Sequence, residues 1–158
     1  LGPGELLFGL ATAGMTRGVC VGIVTAVTLV SLGGHGLPIY PFIALAYLLL
    51  GSLALSFAGI LAGIWANKFD EMAAITNFVV QPLTFLSGTF YSINRLPAPF
   101  DTIAALNPIF YAIDGFRYGM IGVADRPLLT GFLCLCAVNL GLGSVCYRAL
   151  LSGYQLKS

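Results

Sequence analysis

The residues of this chain that could carry chemistry are few, and they gather around Asp114. Asp101, Asp114 and Arg117 come nearest to the convergent set of acids and a base that acid–base catalysis or ion binding would require. Asp114 and Arg117 stand three residues apart, which places both on one face of a helix where they can pair. We therefore favour a structural ion pair over a catalytic one.

Other catalytic patterns are missing from the sequence. Neither lysine follows a glycine, so the chain has no GxxxxGK[ST] loop for binding ATP. The single histidine, His35, rules out an HExxH zinc site. The four cysteines lie inside apolar runs at spacings that fit no zinc set, which predicts buried and unreactive thiols. We expect no metal and no cofactor on this chain.

The composition indicates an integral membrane protein. Of the 158 residues, 58% are hydrophobic and 8% are charged, and the mean hydropathy is +0.95. A typical soluble domain has about a quarter of its residues charged. The net charge of +1 provides no basic footprint for nucleic acid. We predict an all-α, polytopic membrane helix bundle that forms a single domain over residues 1–158.

Four apolar runs predict membrane-spanning helices, each of which needs about 20 residues. They cover residues 14–33, 42–66, 73–93 and 128–147. Residues 1–13 are expected to start a helix but are too short to span alone. An even number of spans puts both ends on one side, and a narrow excess of Lys and Arg favours the cytoplasm. Because the chain opens on Leu1, we expect it to be a fragment.

Glycines in two of these runs predict close helix packing. Gly14, Gly18 and Gly22 recur every four residues and form one smooth stripe, against which another helix can pack closely. Gly59 and Gly63 make a second pair of the same kind.

The third run is interrupted by Gln81-Pro82. Proline removes a backbone donor and frees a carbonyl one turn earlier, which predicts a kink that faces protein or a wet cavity. Polar side chains near this kink could line a path, although Ser and Thr in membrane helices also bond to their own backbone. Both interpretations stay open.

Residues 98–120 do not read as a plain spanning helix. They are aromatic-rich but carry Asp101, Asp114, Arg117 and two prolines, too many charges and breakers for a segment facing lipid throughout. We predict a short helix, a break at Asn107-Pro108 and a second short helix. The pair, over residues 97–120, would dip into one membrane face without crossing it.

The sequence QPLTFLSGTFY at 81–91, followed by Leu96-Pro97 and by NPIFYAIDGFR at 107–117, resembles the signature of the type-2 ABC exporter permeases. The similarity is greatest to the bacterial branch of drug, nodulation-factor and polysaccharide exporters. The resemblance implies that the four spans are the last four helices of a six-helix permease. It also implies a homodimer that works with ATPase subunits, on which ATP and Mg are bound.

The resemblance implies three sets of functional residues. The cytoplasmic surface that rests on the ATPase would include Gly2, Pro3, Glu5, Phe8, Lys68, Asp70 and Glu71. The translocation path would include Gln81, Pro82, Thr84, Ser87 and Gly88. The external gate would include Pro97, Phe100, Asn107, Pro108, Tyr111, Asp114 and Arg117. For the aromatic members of the gate, an aromatic belt at the membrane interface is an equally good interpretation.

We therefore expect a permease subunit of a bacterial inner-membrane exporter, with no ATPase site of its own. It would move a drug-like, lipid-linked or glycan substrate, with an ABC ATPase, a second permease copy and membrane lipid as partners and no nucleic acid. A non-transporting scaffold that assembles through its glycine stripes is the alternative. A membrane-embedded enzyme is a third hypothesis, and the residues near Asp114 are its only support.

Overall fold

The computed structural model describes residues 2–32, 37–66, 68–87 and 100–152. Every regular element in these ranges is a helix. Three of them, α1 (Pro3–Ser31), α2 (Pro41–Trp65) and α7 (Leu128–Leu151), are long and apolar enough to cross a membrane. The prediction of an all-α, polytopic membrane bundle is confirmed.

Four shorter helices lie between α2 and α7. They are α3 (Phe69–Ile75), α4 (Gln81–Phe85), α5 (Phe100–Leu106) and α6 (Pro108–Ile121), and a π-helical turn over Thr76–Val80 joins α3 to α4. The segment from α3 to α4 belongs to the third predicted span. Residues 88–93 of that span lie outside the described ranges, so the count of four spans stays a prediction.

Helix α1 is longer than the predicted first span. Its start uses the predicted signals, because Pro3 is the first helical residue and the Glu5 carboxylate accepts the Gly2 N–H at 3.0 Å. The helix then continues through Gly14, where the sequence had suggested a separate span beginning. In a membrane a continuous helix satisfies its own backbone groups, and this outweighs the weak helix propensity of glycine.

The glycine stripe of α1 packs against α2, as predicted. A Cβ atom added to Gly14 or to Gly18 would lie 2.8 Å from the Cβ of Ser56 or of Ser52, and one added to Gly22 would lie 2.9 Å from Leu48. Contact positions on α2 fall by four as those on α1 rise by four, so the two helices are antiparallel. The second predicted pair, Gly59 and Gly63, has no such neighbour among the described residues.

Helix α7 runs parallel to α2 and is held to it by side-chain hydrogen bonds. The Tyr47 hydroxyl donates to the Leu128 carbonyl, the Asn139 amide donates to the Leu50 carbonyl at 3.1 Å, and the Cys146 thiol donates to the Phe57 carbonyl at 3.4 Å. Cys146 is buried, as expected of the cysteines, whereas Cys20 is exposed on the outside of α1.

This register divides the bundle into two ends. The Gly2 end contains residues 2–8, 62–66 and 147–152, and residues 68–71 follow it directly. The Gly122 end contains residues 37–44 and 118–128. Because α1 is antiparallel to α2 and α7 is parallel to it, the Gly2 end of the bundle combines the start of α1 with the ends of α2 and α7.

The packing predicts that Gly18→Leu will destabilise the protein. Its side chain would overlap Ser52 on α2, and overpacking of this kind costs about 1–3 kcal/mol of unfolding free energy. Thermal unfolding of the full-length protein in detergent measures the loss. Gly59→Leu is the matched control and should change the melting temperature little; an equal loss in both variants would contradict the assignment.

Candidate functional site

The predicted pair of short helices is present as α5 and α6 and is called the hairpin below; the end of α6 lies at the Gly122 end. Helix α5 ends at Leu106, Asn107 breaks the path, and α6 begins at Pro108, as the sequence predicted. Helix α6 then runs antiparallel to α2 at very short range. A Cβ atom on Gly119 would lie 2.6 Å from the Ala44 backbone, and one on Gly115 would enter the ring of Tyr47.

The hairpin reaches about the middle of α2. Ala112 lies opposite Gly51, since a Cβ atom on Gly51 would be 2.9 Å from it. Asn107 directly precedes α6 and lies deeper along α2 than Ala112. At 1.5 Å per residue of α6, the difference in depth is about 7 Å. Helix α6 therefore runs from near the centre of α2 out to the Gly122 end, which is the course expected for the second helix of a re-entrant pair.

Backbone and aromatic contacts join the outer end of α6 to the start of α2. The Tyr40 N–H donates to the Gly119 carbonyl at 2.9 Å, and the rings of Tyr40 and Tyr118 stack with centroids 5.3 Å apart. Gly122 ends α6 with a φ of 74°, the left-handed conformation that glycine adopts without strain. The start of α2 and the end of α6 are thus one connected unit.

Asp114 is the centre of a buried charge cluster. Its carboxylate accepts hydrogen bonds from the guanidinium of Arg117 and from two backbone N–H groups, those of Asp125 at 2.9 Å and Arg126 at 3.1 Å. Arg117 also contacts the Asp125 carboxylate at 2.8 Å. Burial lowers the pKa of Arg117, but the hydrogen bonds and charges of Asp125 and Asp114 outweigh it and leave the pKa above its ordinary value.

This arrangement favours the structural interpretation of the predicted pair. The partners of Asp114 come from α6 and from the α6–α7 connection, so the carboxylate holds that connection in place. Asp125 also joins the cluster, a contact that no local pattern predicts, because residues eleven apart on one helix would be about 16 Å from each other. The Asp101 side chain lies outside the described ones. In the same ranges, no group of three His, Cys, Asp or Glu residues could hold a metal ion.

Asn107 connects the tip of the hairpin to the predicted path helix. Its side-chain oxygen accepts the Ile109 N–H at 3.0 Å and so caps α6, while its amide nitrogen donates to the Leu83 carbonyl at 2.7 Å. Asn107 is 5% exposed. A member of the predicted gate and a neighbour of Pro82 are therefore brought into direct contact.

The predicted path residues have mixed environments. The Gln81 N–H bonds to the Thr76 carbonyl, five residues earlier, so a π-helical turn stands immediately before Pro82, where a kink was predicted. The hydroxyls of Thr84 and Ser87 donate to the carbonyls of Val80 and Thr84 in their own helix, the alternative that the sequence had left open. Gln81 and Pro82 are exposed.

Several other predicted gate and path residues can be placed only in part. Pro108 is the first residue of α6, and Tyr111 packs toward α7, where a Cβ atom on Gly131 would lie 3.3 Å from its ring. Phe100 is the first residue of α5, but its side chain is not described. Gly88 and Pro97 lie outside the described residues.

The predicted ATPase-facing residues gather at the Gly2 end. Residues 2–8 begin α1, and residues 68–71 follow α2 and begin α3, so the antiparallel register brings the two segments to one end of the bundle. Phe8 is 72% exposed there, and Glu5, Lys68, Asp70 and Glu71 are exposed. An apolar ring among exposed charges is suited to binding another protein.

Comparison with known proteins agrees with this architecture. Residues 2–121 match the family model of the ABC-2 type transporter. The inner membrane transport permease YadH of Escherichia coli K12 is 38% identical over 156 residues, 97% of this chain and 59% of YadH. Nodulation protein J of Neorhizobium galegae is 32% identical over 130 residues, 81% of this chain and 48% of that protein. No solved structure matches significantly.

The chain therefore spans roughly half to three-fifths of the length of these relatives.

The buried cluster predicts a large effect of Asp114→Asn on stability. The amide keeps the volume but removes the charge that Arg117 faces, and breaking a buried ion pair costs about 3–5 kcal/mol. Asp70→Asn, at an exposed acid of the Gly2 end, is the control and should cost less than about 0.5 kcal/mol. Thermal unfolding of the full-length protein distinguishes them, and equal melting temperatures would refute a stabilising role for the cluster.

Proposed function

This chain belongs to the ABC-2 type transporter family, and we propose that it forms part of the membrane-spanning permease subunit of an ATP-driven exporter in a bacterial inner membrane. Its relative YadH is named an inner membrane transport permease, which supports both the activity and the location. The Gly2 end would face the cytoplasm and the ATPase, and the Gly122 end would face outward.

One structural observation carries the proposal. The bundle has an exposed, charged surface at the Gly2 end, and α6 packs on α2 from its centre to the Gly122 end. An exporter needs a surface that receives force at one membrane face and a gate at the other. In this chain a single helix connects the two.

The packing supports a way of transmitting movement along the bundle. Glycine contacts hold α1 to α2 at backbone range, and other glycine contacts hold α6 to α2 in the same way. Closely packed helices move as rigid elements rather than deforming continuously. Closure of an ATPase against residues 2–8 and 68–71 would therefore displace α1 and α2 together and carry the hairpin with them.

For the transported substrate we propose a broad chemical class. The residues around Pro82 and on α6 are mainly apolar with scattered amides and hydroxyls, which suits a drug-like, lipid-linked or glycan cargo with an apolar part.

A second copy of the permease would supply the opposite wall of the path. Membrane lipid would cover the exposed apolar side chains of α1, α2 and α7. ATP and Mg would bind to the partner ATPase.

Phe8→Ala provides the test of this function. The full-length permease is purified with the ABC ATPase encoded nearest to it, and ATP hydrolysis is measured in lipid nanodiscs. Loss of an exposed aromatic anchor should weaken association by roughly tenfold and lower permease-dependent hydrolysis accordingly.

Phe42→Ala is the matched control, since Phe42 is 84% exposed but lies at the Gly122 end. It should leave ATPase association unchanged. Equal behaviour of the two variants would contradict the proposed contact surface. If no ATPase associated with the permease at all, the scaffold hypothesis would replace the exporter.

A further inference from the structure

We propose that Asn107 is a positioning residue that ties the Pro82 helix to the re-entrant hairpin, and that release of this tie opens the space between α4 and α6. The role of this opening in transport rests on the proposed function. The tie itself is one hydrogen bond, from the Asn107 amide to the Leu83 carbonyl.

The Leu83 carbonyl is available because α4 ends in a tighter turn. In a continuing α-helix this carbonyl would accept the Ser87 N–H. Here Ser87 N–H donates to the Thr84 carbonyl at 3.2 Å instead, and the Ser87 hydroxyl bonds to the same acceptor. A carbonyl away from water costs free energy unless it is bonded, so Leu83 provides a strong acceptor for a neighbouring donor.

The orientation of the Asn107 amide is determined by its two partners. Its oxygen faces the Ile109 N–H and its nitrogen faces the Leu83 carbonyl. The reversed amide would place donor against donor and acceptor against acceptor. A single side chain therefore caps α6 and binds α4, and it does both in a buried position.

The two sides of this bond belong to parts of the molecule with different support. Helix α6 is fixed to α2 by Gly115, Gly119 and the Tyr40–Gly119 backbone bond. Among the described residues, the segment from α3 to α4 packs on α2 through α3 and on α6 through α4. Movement of that segment relative to the rest must stretch or break the bond at Asn107.

Ser87 provides a sensor of the movement. It is 1% exposed and lies one turn beyond Leu83, whose carbonyl accepts the Asn107 bond. Opening between α4 and α6 would expose it. In a full-length permease whose native cysteines are all replaced by serine, Ser87→Cys can be labelled with a membrane-impermeant maleimide, with no ATPase present.

Asn107→Ser is expected to speed this labelling. Serine retains a good capping group for α6 but is too short to reach the Leu83 carbonyl. We expect the rate to rise by roughly two- to tenfold, the population change that loss of one hydrogen bond produces. Asn107→Asp, which keeps a capping acceptor and loses the amide donor, should act in the same direction and serves if the serine variant does not fold.

Asn139→Ser is the matched control. Asn139 is also buried, at 7% exposure, and also donates across helices to a backbone carbonyl, that of Leu50. Its bond joins α7 to α2 and not α4 to α6, so labelling of Ser87→Cys should not change. An unchanged rate in the Asn107 variants, or an equal rise in Asn139→Ser, would overturn the proposal.

The proposed transport function is tested separately by adding the ATPase with ATP and vanadate. If the labelling rate depended on Asn107 but not on the ATPase, the Asn107 tie would stand. Its role in ATP-driven transport would be contradicted.

Discussion

Close packing on glycine is the interaction on which this structure depends. In lipid the hydrophobic effect does not drive helices together, so association relies on van der Waals contact at short range and on polar bonds between helices. Helix α2 receives α1 along Gly14, Gly18 and Gly22 and receives α6 along Gly115 and Gly119. Without side chains at these positions both partners approach α2 to backbone distance.

Buried polar groups add specificity to this packing. Tyr47, Asn139 and Asn107 each donate to a backbone carbonyl of another helix or helix start, and Asp114 accepts two backbone N–H groups in the α6–α7 connection. Such bonds contribute modestly to stability in membranes, but an unpaired polar group in an apolar environment is costly. They therefore select one register of the helices among several that glycine contacts alone would permit.

The chain has few charged residues, and their positions follow the arrangement of the helices. Most charged residues of the described ranges lie at or beyond the ends of the spanning helices or near Asp114, whereas Arg17 lies in the middle of α1. Arg117 is bonded to the carboxylates of both Asp114 and Asp125. The segment from α3 to α4 contains a π-helical turn, a feature often found at functional sites. The molecule thus combines a core packed around α2 with an irregular helical segment that meets α2 through α3 and α6 through α4.

The sequence by itself determined the elements whose causes are local. The length of an apolar run established α2 and α7, helical spacing paired Asp114 with Arg117, and the Asn107-Pro108 dipeptide separated α5 from α6. The glycine spacing of α1 identified a packing face but not its partner, because periodicity describes one helix at a time. The order of the motifs after Gln81 also indicated the family that comparison then established.

Only the tertiary structure decided which distant groups meet. Asp125 reaches Asp114 because Gly122 turns the chain back, and Asn107 reaches Leu83 because the hairpin descends along α2 to that depth. Residues separated by 11 or 24 positions are too far apart along one helix to touch, so no local pattern could reveal either contact. These contacts result from the register of α6 on α2, which depends on the summed packing of residues far apart in the chain.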